Sequence, residues 1–257
     1  IQDETGQVIA LRDVTFDVNE GETFVVMGLS GSGKSTLARC LLRLIQPTKG
    51  EIAFDGEDIM QYSHRQLIDF RRHKTGMVFQ RFGLMPHRSA RDNVGWALEI
   101  QGLDKTIRDD RARELLEMVG LSGWENSYPY QLSGGMQQRV AICRMLVTEP
   151  RLYLLDEPFG ALDELTREYL DIELRQIIQR KGQSAILVTH NPVEAAFIAD
   201  RIVVMSRRPG KIVGQVEVSI PEKRSSELFA TETLNKFVRE ARVLLEISGR
   251  IGIDEDD

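Results

Sequence analysis

Apolar positions along the chain follow two rhythms, and the switch between them marks its organisation. Short apolar runs, continuous or alternating, come first. Residues 8–11, 14–18 and 23–27 read as strands, and Asn19-Glu20-Gly21-Glu22 is turn chemistry between the last two. Residues 50–56 read as a short strand ending in a turn, His64–His73 as a helix and residues 75–80 as another strand. From residue 89 to residue 146 the rhythm turns helical. Ala112, Leu115, Leu116 and Val119, then Val140, Ile142 and Leu146, recur at helical spacing. Strands return over residues 152–156, 185–189 and 202–205. Continuous aliphatic runs of this kind suit a parallel sheet covered on both faces. Beyond Pro221 the pattern predicts a helix over residues 225–247, with Leu234, Phe237, Val238 and Leu245 near one face. The prediction is an α/β core interrupted by a helical block, with a terminal helix packed on the core. No internal repeat or low-complexity linker breaks the chain.

Composition narrows the class. A chain of 257 residues accommodates one large domain, or a core with a subdomain. Hydrophobic residues at 42% and charged residues at 28% fit an ordinary globular protein. The net charge of −6 argues against a broad nucleic-acid-binding surface, and no nucleic-acid partner is expected. The acidic residues 254–257 read as a solvated tail. Cys40 and Cys143 both fall inside predicted helices among apolar neighbours, which predicts buried free thiols in a reducing compartment. No apolar run reaches membrane-spanning length and no signal-peptide pattern opens the chain. A role at a membrane would therefore require a partner to hold the protein there. The chain opens on Ile1 rather than Met, which leaves room for native residues ahead of it.

Two glycine-bearing segments carry the chemistry. Gly28-Leu29-Ser30-Gly31-Ser32-Gly33-Lys34-Ser35 follows the strand that ends at Met27 and leads into a helical run beginning at Thr36. That strand–loop–helix context is the one in which G-x-x-x-x-G-K-[ST] is a phosphate-binding loop. Glycines let the backbone approach an anion, successive N–H groups form a nest, and the positive end of the helix adds to it. Gly28, Ser30, Gly31, Ser32, Gly33, Lys34, Ser35 and Thr36 are the expected nucleotide contacts. Lys34 is expected to reach the β/γ-phosphates, and the Ser35 hydroxyl to ligate Mg²⁺. The second segment, Leu132-Ser133-Gly134-Gly135-Met136-Gln137, opens another helix. The two segments together predict an ATP site that two chains complete.

Strand ends supply the remaining groups. Leu152-Tyr153-Leu154-Leu155 runs into Asp156-Glu157, and an acid at the end of a core strand can hold Mg²⁺. Asp156 is expected to hold the metal through water. Glu157 is expected to orient the attacking water or take its proton. His190 and Gln80 also end strands. His190 reads as a γ-phosphate contact, and Gln80 as a ligand of Mg²⁺ or of the attacking water. An Asp-Glu pair is common surface chemistry and a lone His is usually a satisfied polar residue. The strand context and the phosphate loop upstream weigh against both plain readings.

On these residues the chain resembles the ATP-binding subunit of an ABC transporter, and the resemblance covers residues 8–220. It rests on the phosphate loop, Gln80, the Leu132–Gln137 signature, the Asp156-Glu157 strand, Ala161-Leu162-Asp163 and His190. The implied fold is α/β: a P-loop NTPase core with a mainly parallel sheet, an N-terminal antiparallel β subdomain and an inserted α-helical subdomain. Residues 1–88 and 147–220 are expected to form the catalytic core, residues 89–146 the helical insert and residues 221–257 a helical tail, within a single ATP-binding domain. The resemblance further implies that two copies sandwich two ATP molecules. Ser133, Gly134, Gly135 and Gln137 of one copy then close on nucleotide bound by the other. Ala161-Leu162-Asp163 is the implied dimer-contact loop. One feature departs from the family pattern. An aromatic that stacks on adenine is expected near Thr5, yet residues 1–15 contain no aromatic. Aliphatic contact through Val8 is one alternative.

Within the family the chain resembles bacterial importers. No membrane domain is fused to it, and Ser127-Tyr128-Pro129-Tyr130-Gln131 matches their pattern ahead of the signature. Residues 26–35, Arg71-Arg72, residues 77–80 and Leu84-Met85-Pro86-His87 resemble glycine betaine/proline systems. Residues 156–167, 206–210 and the stretch after Pro221 resemble nitrate, sulfonate and taurine systems. That last stretch is too short for paired regulatory domains, so control through such domains is not expected. The expectation is an ATPase that energises import of a small polar organic solute, most of all a betaine-type compatible solute, with nitrate, sulfonate or taurine as the alternative. Expected partners are a permease docked near Phe82–His87 and, indirectly, a solute-binding protein, at the cytoplasmic face of the inner membrane. The rival of another class is a soluble ABC ATPase that remodels a protein or nucleic-acid complex.

Overall fold

The computed structural model of the protein describes residues 8–80, 82–160, 162–220 and 223–251. Eight strands are β1 (Thr23–Gly28), β2 (Ala53–Phe54), β3 (Glu57–Asp58), β4 (Thr75–Val78), β5 (Leu152–Asp156), β6 (Ser184–Thr189), β7 (Arg201–Met205) and β8 (Ile212–Glu217). Eight helices are α1 (Lys34–Leu41), α2 (His64–His73), α3 (Ala90–Ile100), α4 (Lys105–Met118), α5 (Gly134–Leu146), α6 (Glu164–Lys181), α7 (Pro192–Ile198) and α8 (Glu232–Arg250). Six strands form one sheet in the order β4-β5-β6-β1-β7-β8, parallel except for β8.

The central strands are apolar throughout because both faces of the sheet are covered. On β1, Val25 and Met27 enter one core and Phe24 and Val26 the other. The same alternation runs through Ala185 and Leu187 against Ile186 and Val188 on β6. Successive side chains on a strand point to opposite faces, so a run buried on both faces loses its polar alternation. Helices α5 to α8 cover the first face, and α1, α2 and the β2–β3 hairpin the second. Helices α3, α4 and α5 also close a third core of their own around Val94, Leu98, Ala112, Leu116 and Val140. Ser89 and Asp104 cap the first two, accepting hydrogen bonds from Asp92 N at 3.1 Å and Thr106 N at 2.8 Å. The thiols of Cys40 and Cys143 are free and buried, as expected. Among the described residues no helix is long and apolar enough to cross a membrane.

The N-terminal region differs from the expectation. Among the described residues, 8–18 form no strand, and their only ladder contact is one bridge from Leu11 to Gly210. Leu11, Val14, Phe16 and Val18 instead lie half-buried on the second core, and Phe16 stacks on Phe24 with ring centroids 4.9 Å apart. The period-two pattern reported burial of one side of an extended segment without a pairing partner. The antiparallel element of this region is the hairpin pairing Ala53 with Asp58 and Phe54 with Glu57. Strand β8, antiparallel to β7, was hidden in the sequence by Gly214 and Gln215 within its run. The terminal helix begins later than predicted. Ser226–Ala230 is a 3₁₀ turn, and α8 starts after Thr231, whose hydroxyl accepts from Leu234 N at 3.3 Å.

Candidate functional site

The site forms where β1, β4, β5 and β6 end at one edge of the sheet. After β1 the chain turns tightly at Gly28, where a Cβ would lie 2.6 Å from Ser32 Oγ and 3.0 Å from the Met205 carbonyl. Gly31 and Gly33 have φ of 82° and 89°, in the left-handed region that glycine adopts without strain. Gly33 caps α1 without a side-chain hydrogen bond, so no side chain satisfies the first-turn amides of Lys34, Ser35 and Thr36. These are open donors at the positive end of a helix. The exposed Ser30 and buried Ser32 flank Gly31 in the loop.

Lys34 is folded back on this loop. Its Nζ donates to the Gly28 carbonyl at 2.8 Å and the Leu29 carbonyl at 3.0 Å, with Ser32 Oγ at 3.5 Å. Burial pushes its amine below the ordinary lysine value, while Glu157 and Asp156 pull the other way. The Ser35 hydroxyl donates to Asp156 Oδ1 at 2.8 Å. Asp156 is fully buried at the end of β5, and its Oδ2 has no hydrogen-bond partner. Desolvation is the main reason its carboxyl lies above the usual range. A buried carboxylate oxygen left unpartnered beside a hydroxyl fits a small hard cation. Among the described residues no three His, Cys, Asp or Glu side chains gather into a metal cage. Mg²⁺ suits such a sparse donor set, because it keeps waters and takes phosphate oxygens with only one or two carboxylates.

Glu157 follows at once, with φ of 49° and its amide donating to the Val188 carbonyl at 2.9 Å. A non-glycine residue there is uncommon, and the turn brings its carboxylate between two neighbouring strand ends. Oε2 accepts from Gln80 Nε2 at 3.0 Å, beyond β4. Oε1 lies 3.4 Å from His190 Nδ1, beyond β6. The strand order β4-β5-β6 is what gathers these three groups. The His190 side chain is 58% exposed and that of Glu157 18%, so the cluster opens to solvent on the histidine side.

Ser133 and Gly134 lie elsewhere, exposed at the start of α5. The Ser133 hydroxyl caps its own helix, accepting from Met136 N at 3.3 Å, and a Cβ on Gly134 would meet nothing within 4 Å. Gly135 is closer to its surroundings, since a Cβ there would lie 3.0 Å from Leu162 Cδ2. Gln137 turns away from the helix start, donating from Nε2 to the Pro129 and Leu132 carbonyls at 2.9 and 3.2 Å. Among the described residues no hydrogen bond joins Ser133, Gly134, Gly135 or Gln137 to the phosphate loop of the same chain. Ala161 and the stretch around Thr5 lie outside the described residues, and Val8 is exposed.

Sequence reasoning missed two arginines that hold the loops around the site. Arg144 of α5 donates to the Gly83 and Phe82 carbonyls at 2.7 and 2.8 Å. Arg167 of α6 donates to the Leu162 and Phe159 carbonyls at 2.8 and 3.3 Å. The available signal was a lone base within the apolar run of α5. Asn93 also ties the segment after Gln80 to α3, accepting from Met85 N at 2.8 Å and donating to the Met85 carbonyl at 3.1 Å. Phe82 and Leu84 are half-buried on the main core, and Leu84 also touches the core of the helical block.

Comparison with known proteins agrees with this arrangement. The model of the ABC transporter family matches residues 11–160. The glycine betaine transport ATP-binding protein OpuAA of Bacillus subtilis is 48% identical over 219 residues, covering 85% of this chain and 51% of that protein. The trimethylamine N-oxide transport system ATP-binding protein TmoW of Ruegeria pomeroyi is 50% identical over 200 residues, covering 78% of this chain and 59% of its own length. The chain thus spans little more than half the length of these relatives. The aliphatic sulfonates import ATP-binding protein SsuB of Bacillus cereus is 40% identical over 235 residues, covering 91% of this chain and 89% of that protein. A solved dimeric ATP-binding cassette, in a post-hydrolysis state bound to ADP and Pi, superposes with a TM-score of 0.76 at 35% identity, over 82% of this chain and 91% of the other. The matched model takes in more than half of the chain, including the phosphate loop and the Asp156-Glu157 strand end, and the chain belongs to the ABC transporter family.

Proposed function

We propose that the chain is the ATP-hydrolysing, energy-coupling subunit of a membrane importer, and that two copies complete two ATP sites. The observation that carries this reading is the cluster of Gln80, Glu157 and His190 beside Ser35 and Asp156, facing the open amides of α1. The α1 amides and the backbone of Gly28, Ser30, Gly31, Ser32 and Gly33 would cradle the phosphates, with Lys34 leaving its loop carbonyls to meet them. Ser35, Asp156 and Gln80 would hold Mg²⁺, which supplies neutralisation of the phosphate oxygens. Glu157 would accept a proton from the attacking water, and His190 would contact the γ-phosphate. Among the described residues Ser133, Gly134 and Gly135 make no hydrogen bond to the phosphate loop of their own chain, which supports their use on the nucleotide of a second copy. We assign residues 1–88 and 147–220 to the catalytic core and residues 89–146 to the insert that carries this signature.

The transported solute is proposed from the relatives. A betaine-type or related methylamine solute is favoured by the relatives named for glycine betaine and trimethylamine N-oxide. A sulfonate is the second reading, favoured because the sulfonate relative matches this chain over nearly its whole length. A permease would hold the chain at the cytoplasmic face of the membrane, and a solute-binding protein would deliver the solute. Purified chain should release phosphate from ATP only with Mg²⁺, at a rate rising faster than linearly with protein concentration. Co-expression with the permease and binding protein from neighbouring genes should then drive uptake of labelled glycine betaine or of an alkanesulfonate. Stimulation of hydrolysis by ribosomes or DNA, with no permease recovered, would overturn the importer reading.

A further inference from the structure

Behind His190 lies a second pair of carboxyls that the site described above does not use. Asp171 stands two turns into α6, and Glu194 in the first turn of α7. Their exposures are 1% and 4%. The Thr189 hydroxyl donates to Glu194 Oε2, and Thr189 Oγ1 accepts from Asn191 N at 3.0 Å. Asn191 in turn caps α7, accepting from Val193 N and Glu194 N at 2.9 and 3.4 Å. Glu194 is therefore bonded into the backbone on both sides of His190. Asp171 Oδ1 and Glu194 Oε1, by contrast, are buried with no hydrogen-bond partner.

Helices α6 and α7 pack together, and after burial the charge of Glu194 is the largest influence on Asp171. Neighbouring carboxylates in a dry interior do not both ionise, and the pair titrates as a unit. One proton between the two unpartnered oxygens would give each of them a hydrogen bond. Among the described residues no cation takes that role. Arg167, one turn before Asp171, is fastened to the Phe159 and Leu162 carbonyls, Arg175 to Asp200 and Arg224 to the Phe197 carbonyl.

We propose that Asp171 and Glu194 share one proton, and that this carboxyl–carboxylate bond positions His190 by tying the helix that follows it to the helix that follows residues 161–163. The burial of both groups agrees with this. Burial pushes both carboxyls up, Glu194 to about 7 and Asp171 well above its ordinary value. The other facing charges are Arg167 of α6, which lowers both, Glu168 of α6, which raises Asp171, and Glu157 at the end of β5, which raises Glu194. His190 is the remaining titratable group on the connection between β6 and α7, and it faces the solvent side of Glu157. The unfolded chain releases such protons in the ordinary carboxylate range, whereas the folded chain keeps one. The folded state therefore binds more protons from about pH 4 to beyond about pH 7, and stability falls as pH rises through that window.

The test compares the full chain with Asp171→Asn and Asp171→Ala. Asparagine supplies an N–H to Glu194 without needing a proton. Thermal unfolding between about pH 5 and about pH 9 should show the wild-type midpoint falling as pH rises, and the Asp171→Asn midpoint changing much less. Parallel curves for the two proteins would overturn the shared proton. The positioning role rests on the ATPase reading above and is measured by turnover. Asp171→Asn should keep kcat near the wild-type value and flatten its pH profile. Asp171→Ala should lose about tenfold or more in kcat, with KM for ATP little changed. A folded Asp171→Ala protein with wild-type kcat would overturn the positioning role. Absence of ATPase in the wild-type protein would count against the ATPase reading, while the unfolding curves still decide the shared proton.

Discussion

Replacing Glu157 by glutamine tests the assignment of the general base. The amide is nearly isosteric, and its carbonyl still accepts from Gln80 Nε2, which lies 3.0 Å from the native carboxylate. Folding should therefore change little. What disappears is the proton-accepting oxygen and one negative charge beside the phosphate loop. Loss of a positioned base costs about 10²–10⁴-fold, equivalent to about 3–5 kcal/mol on the barrier. ATP binding should hold or tighten, because Glu157 is one of the two acids that face Lys34 and any bound phosphate. Phosphate release under single-turnover conditions measures the chemical step, equilibrium binding measures the nucleotide, and gel filtration with Mg²⁺-ATP measures dimer formation. The expected result is slow hydrolysis, undiminished binding and a dimer that accumulates. Turnover within about threefold of wild type, less than 1 kcal/mol on the barrier, would remove Glu157 from this role.

Four further outcomes follow from other parts of the fold. Ser133→Arg should abolish hydrolysis and leave ATP binding by the isolated chain nearly intact, because Ser133 makes no bond to its own phosphate loop; equal loss of both in calorimetry and turnover would refute a composite site. Phe82→Ala should cost about 1–2 kcal/mol, from a half-buried ring, and still give a folded chain that assembles poorly with its permease; unchanged assembly and uptake would refute docking near Phe82–His87. Leu84→Asp should lower the unfolding midpoint further, since Leu84 touches two cores and an aspartate there loses water. The Cys143 thiol, fully buried and pushed up by desolvation, should resist alkylation in the native protein and react once it is unfolded, as mass spectrometry would show.

The parts of the fold legible in the sequence are those where burial on both faces erases polar alternation. Strands β1, β5, β6 and β7 are such runs, and each ends near the residue where its aliphatic stretch stops. Residues 14–18 misled for the opposite reason. Their alternation is real, and Phe16 does pack on Phe24, but one apolar face can be buried without a ladder. Strand β8 needs no continuous apolar run, because it pairs at the sheet edge and only Val216 is deeply buried. In the candidate site, the positions of Lys34, Ser35, Asp156, Glu157 and His190 at strand ends or in the loop were readable. That Gln80 and His190 converge on the same carboxylate was not readable, since it follows from the β4-β5-β6 order. Arg144 binds carbonyls some sixty residues away in sequence, and no local pattern encodes such a bond, whereas Arg167 binds carbonyls five and eight residues before it, in the loop ahead of α6.

In the single chain Lys34, Ser133 and Glu157 are engaged by groups of their own chain. Lys34 Nζ sits on two carbonyls of its own loop, and the Ser133 hydroxyl on Met136 N. The carboxylate of Glu157 is engaged by Gln80 and faces His190. Neutral carbonyls hold an ammonium less strongly than phosphate oxygens do, so ATP can take Lys34 from its loop. On the proposed reading, the same nucleotide would give Gln80 and His190 anionic oxygens or metal to contact in place of Glu157, and its carboxylate would then be free to accept a proton only once ATP is present. Among the described residues Ser133 and Gly134 make no hydrogen bond to the phosphate loop of their own chain, so on the proposed reading their contribution would wait for a second copy. Gly135 packs on Leu162, whose carbonyl is held by Arg167, and Arg167 lies one turn from Asp171. On the proposed reading, a second copy that pulls on the signature helix would therefore also load the helix carrying Asp171. That path would reach Glu194, Thr189 and then His190, and would join closure of the dimer to placement of the γ-phosphate contact.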